Sequence, residues 1–189
     1  VVLVKRNEKI SDKIGAQLID LKIKKLATDG LSYDVYRMLA KALRGKARLK
    51  VQGSLMQQLR RVKDDEEQKL MRKAGEITVA GMKAANETIR PGVTEIAVGA
   101  EIEYAMRKKG GYGTAFETIV ASGIRSAYPH GGCFPQEIRR GDLVVVDIGS
   151  KYDHYCSDMT RTFVAGKPTY KQRKLYDVVK VAQEKAYRA

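Results

Sequence analysis

The chain has 189 residues, is 43% hydrophobic and carries a formal net charge of +14. Its length and apolar content are sufficient for a hydrophobic core in one or two domains. No run of about eighteen apolar residues occurs, and Val1–Val4 is too short for the core of a signal peptide, so we expect neither a membrane span nor a secretory signal. Cys133 and Cys156 are the only cysteines and form no CxxC pair, which predicts reduced thiols in a cytoplasmic protein.

The positive charge lies mainly in the N-terminal third. Residues 1–63 contain 16 Lys or Arg against 5 Asp or Glu, whereas residues 64–189 contain 20 against 17. A nucleic-acid surface would explain this excess, but few aromatic residues of the kind that stack on bases lie among the basic ones. The pattern favours a solvated face, or a surface that docks on an acidic partner.

The N-terminal third predicts alternating short strands and helices. In chain order, the pattern indicates a strand at 23–27, a helix from Ser32 as N-cap to Leu43, a strand at 48–52 and a short helix from Ser54 to Leu59. These elements form the end of an α/β unit that is too small to be a domain by itself. We therefore expect that a preceding part of the unit is missing from this chain.

Two longer helices follow. Four acids, Asp64–Glu67, lie at the start of the first helix, where they interact favourably with the helix dipole, and Pro91 follows its end. Thr94 caps the second helix, which runs to about Lys109 before two glycines. The hydrophobic period then changes from about 3.6 residues to about 2, which predicts strands at 115–121, 143–149 and 155–164. A last helix is predicted at 170–187.

Asp147 and Asp158 lie eleven residues apart on the two arms of a predicted β-hairpin, with Lys151–His154 as the turn. If the turn is centred between Tyr152 and Asp153, the two aspartates are directly opposed on one face, with Cβ atoms about 5 Å apart. Two like charges at that distance repel unless a cation lies between them. A pair of divalent ions about 3.5–4 Å apart would relieve the conflict, and carboxylates suit Mn²⁺, Co²⁺ or Zn²⁺. The spacing also allows two exposed acids near a turn, because a slip of one residue would place them on opposite faces.

Four segments together resemble a known family. They are Thr118–Gly123, Tyr128–Gly131, Arg140–Gly149 and His154–Phe163. The residues of these segments, and the order of the segments along the chain, resemble those of the Xaa-Pro dipeptidases (prolidases) and Xaa-Pro aminopeptidases. These enzymes belong to the pita-bread family, which also includes methionine aminopeptidase and creatinase. The similarity covers about residues 64–189.

The resemblance implies an α+β fold, with the first half of a pita-bread catalytic domain at 64–189 and the C-terminal part of a creatinase-like N-terminal domain at 1–63. It implies that Asp147 and Asp158 are two of five ligands to two divalent metal ions. It also implies that His130 contacts the substrate near the scissile bond. Thr160 is either a plain strand residue or a hydrogen-bond donor to a ligand carboxylate on the same face.

The other metal ligands of the family have no counterpart in this chain. After Phe163 there is no histidine, and Glu184 is the only glutamate. We expect the chain to be a fragment of a longer enzyme and to be inactive by itself. The N-terminal segment favours the prolidases over simple methionine aminopeptidases, which lack such a domain. We expect the parent to act, as a homodimer, on the Xaa-Pro bond of dipeptides or short proline-containing peptides.

Two other functions share this fold. Some pita-bread domains resemble non-catalytic modules that bind histones or RNA, and the basic N-terminal third is compatible with that role. Such relatives usually lack metal ligands, however, whereas both aspartates are present here, which argues against a nucleic-acid partner. The other alternative is creatinase-type hydrolysis of a small guanidino compound.

Overall fold

The computed structural model describes residues 6–189. They divide into two compact units, with the boundary between Lys63 and Asp64. The first unit contains short helices and strands, and the second contains two long helices, two small sheets and a C-terminal helix. The assignment of the first unit to a creatinase-like N-terminal domain stays a prediction.

The first unit is a β-α-β arrangement flanked by helices. Its elements are α1 (Ile10–Asp20), β1 (Lys25–Thr28), α2 (Tyr33–Ala42), β2 (Arg48–Val51) and α3 (Leu55–Arg61). β1 and β2 pair in parallel through the crossover helix α2. Ser32 caps α2 by accepting a hydrogen bond from Val35 N at 3.4 Å, as the sequence predicts. Ser54 precedes α3, but its hydroxyl accepts a bond from the Gln58 side chain rather than from a backbone amide.

The second unit opens with the two predicted long helices, α4 (Asp65–Thr88) and α5 (Glu95–Lys108). The Asp64 carboxylate accepts a hydrogen bond from Glu67 N at 2.9 Å, and the Glu67 carboxylate accepts one from Asp64 N at 2.8 Å. This capping box gives partners to two of the amides that a helix start leaves unpaired. Thr94 caps α5 by accepting a bond from Ala97 N at 3.3 Å. The predicted starts of both helices are therefore confirmed.

The strands of the second unit form two three-stranded antiparallel sheets. One sheet has the order β4 (Ile119–Ser122), β5 (Leu143–Ile148) and β8 (Met159–Val164), and the other has the order β3 (Gly113–Thr114), β6 (Ser150–Tyr152) and β7 (Tyr155–Cys156). The predicted strand at 143–149 is confirmed as β5, but the other two are only partly right: 115–118 is not a strand, and the predicted strand at 155–164 is interrupted at 157–158. The chain leaves the strand conformation at 115–118, at Gly149 and at 157–158. At each of these places it passes from one sheet to the other.

One face of the sheet β4-β5-β8 forms the core with α4 and α5. Along β5, Val144, Val146 and Ile148 are fully buried, and the residues between them are half-buried. The same core contains apolar residues of both helices, including Ile77, Met82, Val98, Ile102 and Met106. Because side chains alternate along a strand, Val145 and Asp147 lie on the face away from this core.

The register of the hairpin differs from the predicted one. β5 pairs with β8 so that Asp147 lies opposite Thr160, not opposite Asp158. Asp158 lies one residue before β8, and the same register would set it opposite Gly149. The predicted direct pairing of the two aspartates is therefore wrong.

The turn of the hairpin explains this difference. It consists of Asp153 and His154, whose φ angles of 43° and 69° are typical of a two-residue type I′ turn. The predicted centre, between Tyr152 and Asp153, is wrong by one residue. His154 is confirmed as a turn residue, and its backbone N–H donates to the Tyr112 hydroxyl at 2.8 Å.

The buried hydroxyls of Thr78 and Ser150 and the half-buried hydroxyl of Ser157 hold the hairpin where it is interrupted at Gly149. Thr78 Oγ1 on α4 lies 2.6 Å from Ser157 Oγ and accepts a hydrogen bond from Ser150 N at 3.0 Å. The hydroxyls of Ser150 and Ser157 both donate to the Ala74 carbonyl oxygen, at 2.7 and 3.0 Å. These bonds fix both arms of the hairpin to α4 and give the buried polar groups partners.

The last predicted helix is confirmed as α6 (Tyr170–Arg188). It begins with a second capping box, formed by Thr169 and Gln172. Within the described residues 6–189, no helix is both long and apolar enough to cross a bilayer. The cytoplasmic location stays a prediction.

Gly149→Ala should destabilise the second unit, because a Cβ at this position would overlap the Ser157 carbonyl oxygen. We expect the free energy of unfolding to fall by about 2 kcal/mol or more, measured by urea denaturation with circular dichroism. Gly75→Ala is the control, since Gly75 lies in α4 with no heavy atom within 4 Å of the added Cβ. That variant should gain about 0.5–1 kcal/mol. Equal effects in the two variants would contradict the close approach of the hairpin arms at Gly149.

Candidate metal centre

Asp147 lies near the end of β5, on the face away from the core. Its side chain is half-buried, and its Oδ1 accepts a hydrogen bond from Thr160 Oγ1 at 2.7 Å. The predicted bond from Thr160 to a ligand carboxylate is thereby confirmed as a contact. It fixes one oxygen of Asp147, and carboxylates that bind metals are commonly oriented by a partner of this kind.

Asp158 is exposed and lies two residues before Thr160. It directly follows Ser157, whose hydroxyl is tied to α4 through Thr78 and Ala74. The backbone on the N-terminal side of Asp158 is thus anchored, while its carboxylate remains open to solvent. Its assignment as a metal ligand, like that of Asp147, stays a prediction.

His130 is exposed, in a turn that follows a short 3₁₀ helix at Gly123–Ala127. The segment after it returns to the sheet, where Gly132 O accepts a hydrogen bond from Val120 N at 3.1 Å. β4 in turn pairs Ile119 with Asp147. The loop that carries His130 therefore returns beside β4, which pairs with the strand that carries Asp147.

The donor set fits part of a divalent-cation site. Two carboxylates supply oxygen ligands of the type that Mn²⁺, Co²⁺ or Zn²⁺ accept, and one of them is already oriented by Thr160. In the part of the chain that the structure describes, no three His, Cys, Asp or Glu side chains gather closely enough to hold an ion. If Asp147 and Asp158 bind a cation, as predicted, they supply only part of its ligands within the described residues.

Several residues around the site have roles that the sequence does not reveal. Glu95 is fully buried and forms an ion pair with Arg125 across 3.4 Å, behind the segment that carries His130. The buried hydroxyl of Thr78 lies far from the hairpin in sequence. Glu95 follows the N-cap Thr94 and is the first residue of α5. An acid at that position is usually exposed and interacts with the helix dipole, so the sequence does not indicate that Glu95 is buried.

Cys133 is a half-buried free thiol beside the same segment. Burial raises its pKa from 9.0 to about 11, and the Glu95 and Glu103 carboxylates act in the same direction. Cys156 is also free but is exposed. Neither cysteine forms a disulfide, which agrees with the prediction of free thiols.

The chain belongs to metallopeptidase family M24, whose sequence profile matches residues 69–189. It is 46% identical over 132 residues to an Xaa-Pro dipeptidase from Pyrococcus horikoshii, an alignment that covers 70% of this chain and 38% of the relative. The predicted resemblance to the prolidases is confirmed.

Solved structures show the same fold. An Xaa-Pro dipeptidase from Bacillus anthracis superposes with a TM-score of 0.86 at 38% identity, over 95% of this chain and 51% of that one. An X-Pro aminopeptidase from Thermotoga maritima gives a TM-score of 0.87 at 36% identity, also over 95% and 51%. The α+β pita-bread fold is therefore confirmed, and the chain spans about half the length of these structures.

The two thiols should differ strongly in reactivity, because the thiolate is the reactive species and Cys133 stays protonated up to a pH of about 11. With iodoacetamide at pH 8.5, we expect Cys156 to be alkylated at least about tenfold faster than Cys133. Peptide mass mapping of the native chain would measure both rates. In urea the two rates should converge, and equal rates in the native chain would contradict the burial of Cys133.

Proposed function

We propose that the full-length protein containing this chain is a metal-dependent peptidase that hydrolyses the Xaa-Pro bond of dipeptides or of short peptides. Membership of family M24 supports the peptidase class. The observation that carries the proposal for this chain is the hydrogen bond that orients Asp147 on the open face of the sheet. A strand carboxylate that only faces water can be hydrated and needs no hydrogen bond from a neighbouring side chain.

We assign Asp147 and Asp158 as ligands to two divalent metal ions, Mn²⁺, Co²⁺ or Zn²⁺. When bound, such ions act as Lewis acids that activate water and polarise the scissile carbonyl. Asp158 lies two residues before Thr160, the cross-strand partner of Asp147, in the interruption between β7 and β8. We propose that the ions bridge the two carboxylates there. The remaining ligands come from outside this chain, so we propose that the chain alone is inactive.

We assign His130 to contact with the substrate. It is exposed, in a loop that returns beside β4, the strand that pairs with β5. We propose that its imidazole reaches a substrate held at Asp147 and Asp158. An imidazole can donate a hydrogen bond to the substrate or to charge that develops on it near neutral pH. The short proline-containing substrate and the homodimer belong to the same proposal.

The alternative is a binding module, and the observation that favours it is the charge of residues 1–63, with 16 Lys or Arg against 5 Asp or Glu. A nucleic-acid module would bind DNA with an affinity that falls steeply as salt is raised, because bound counterions are released. Titration of the full-length protein with Mn²⁺, beside DNA titrations at two salt concentrations, separates the two classes.

Asp147→Asn and Asp158→Asn should each lower the activity of the full-length, metal-loaded protein towards Leu-Pro by about 100-fold or more. A neutral amide binds a divalent cation less strongly than a carboxylate, and even outer partners of ligands are worth about 10- to 100-fold. Release of free proline measures the rate. Asp153→Asn is the control, since Asp153 is an acid in the turn of the same hairpin. Low wild-type turnover together with an undiminished Asp147→Asn variant would refute the proposal.

Thr160→Val should weaken Mn²⁺ binding by the full-length protein by about tenfold, because it removes the donor that orients Asp147 without changing the side-chain volume much. Isothermal titration measures the affinity. Thr162→Val is the matched control, because Thr162 lies on the same strand opposite Val145 rather than opposite an acid. Equal affinities in the wild type and Thr160→Val would show that the hydrogen bond has no part in metal binding.

A further inference from the structure

The segment that carries His130 leaves the sheet after Ser122 at the end of β4, returns beside β4 at Cys133 and then reaches the start of α5 at Phe134. We call residues 122–134 the histidine loop. Gly131, next to His130, is pressed against the strand, since a Cβ there would lie 2.8 Å from Ala121 Cβ. The histidine loop therefore needs contacts that hold both of its ends and its middle in place.

One buried carboxylate contacts all three parts of the histidine loop. Glu95 is fully buried. Its Oε1 accepts hydrogen bonds from Ser122 N at 2.7 Å and from Ser122 Oγ at 2.8 Å. Its Oε2 accepts bonds from Phe134 N at 3.2 Å and from Arg125 Nε at 3.4 Å. Two bonds thus hold the start of the loop, one holds its end, and one reaches a residue within it.

Arg125 extends this network towards His130. Its guanidinium group donates to the carbonyl oxygen of Gly131, the residue that directly follows His130 in the chain. The same group lies over the Phe134 ring, 4.1 Å from its centroid. A guanidinium fork can make these contacts together, whereas a lysine ammonium, which lacks its planar geometry, cannot.

We propose that Glu95 is a positioning residue for His130, acting through Arg125 and through both ends of the histidine loop. This inference rests on the proposed function, because that function gives His130 its contact with the substrate. A buried ion pair is seldom the most stabilising choice for a core, since apolar residues of similar volume often stabilise as well or better. Here every bond that the carboxylate accepts from a side chain or amide comes from the loop, which points to control of loop geometry.

The geometry of the loop can be tested on this chain by hydrogen exchange. Glu95→Gln keeps the side-chain volume but places an NH₂ group against donors, so buried amides lose their acceptor. We expect the amides of Ser122 and Phe134 to exchange at least about tenfold faster, while those of β5 are unchanged. Glu103→Gln is the matched control, because Glu103 lies on the same helix and accepts one bond, from Thr118 Oγ1 at 2.7 Å. Unchanged exchange in folded Glu95→Gln would overturn the proposal.

A second pair of variants covers the case in which Glu95→Gln fails to fold. The Arg125 side chain is 21% exposed, so its replacement leaves a smaller buried defect. Arg125→Lys should speed exchange at the loop amides moderately, and Arg125→Met should speed it more, because the first keeps a cation and the second keeps only the apolar stem. Exchange rates equal to those of the wild type in both variants would also overturn the proposal.

Kinetics of the full-length, metal-loaded enzyme distinguish positioning from general stabilisation. Glu95→Gln should lower kcat/KM for Leu-Pro by about 10- to 100-fold at unchanged metal content, the effect of a displaced contact group. In the His130→Ala background the same change should lower it by less than about twofold, because the residue through which Glu95 acts is already gone. Additive losses in this double-mutant cycle would overturn the positioning role. An inactive wild type would refute the proposed function and the role of His130 with it, whereas the exchange experiment would still report on the loop.

Discussion

The buried hydroxyl cluster between α4 and the hairpin is the constraint on which the site depends. Thr78 contacts Ser150 and Ser157 at the place where both hairpin arms pass from one sheet to the other. Such groups have to hydrogen-bond to one another and to the Ala74 carbonyl, because an unpaired buried polar group is costly. Ser150 and Ser157 lie between Asp147 and Asp158 in the chain, so their bonds to α4 fix the backbone of the hairpin between the two acids.

Two kinds of carboxylate serve the region in different ways. Asp147 is half-buried on the face of the sheet away from the core, and Asp158 is exposed just before β8. Glu95 is fully buried and accepts its hydrogen bonds from the protein itself. The two aspartates are accessible to a ligand, whereas the buried Glu95 carboxylate is occupied by hydrogen bonds within the protein. The chain spans about half the length of its solved relatives, so the two aspartates and His130 are proposed to be only part of a site.

Local signals predicted the helices well and the strand pairing poorly. Asp64 and Thr94 indicate where helices start, because each side chain accepts a hydrogen bond from a backbone amide three residues later. The turn at Asp153 and His154 has two positive φ angles but no glycine, so the sequence does not indicate a type I′ turn. An error of one residue in the position of the turn changes every cross-strand partner in the hairpin. At the breaks at Gly149 and at 157–158 the chain bonds to Thr78, which is 79 residues from Ser157 and so gives no local signal.

The sequence by itself determined the family, the order of helices and strands, and the identity of Asp147, Asp158 and His130 as candidates, because motifs and periodicity are properties of neighbouring residues. The tertiary structure decided that Asp147 faces Thr160, that the hairpin is interrupted at Gly149, and that Glu95 closes the loop around His130. These features arise from contacts between residues distant in the chain. Their energies depend on burial and on the available hydrogen-bond partners, which exist only once the fold has formed.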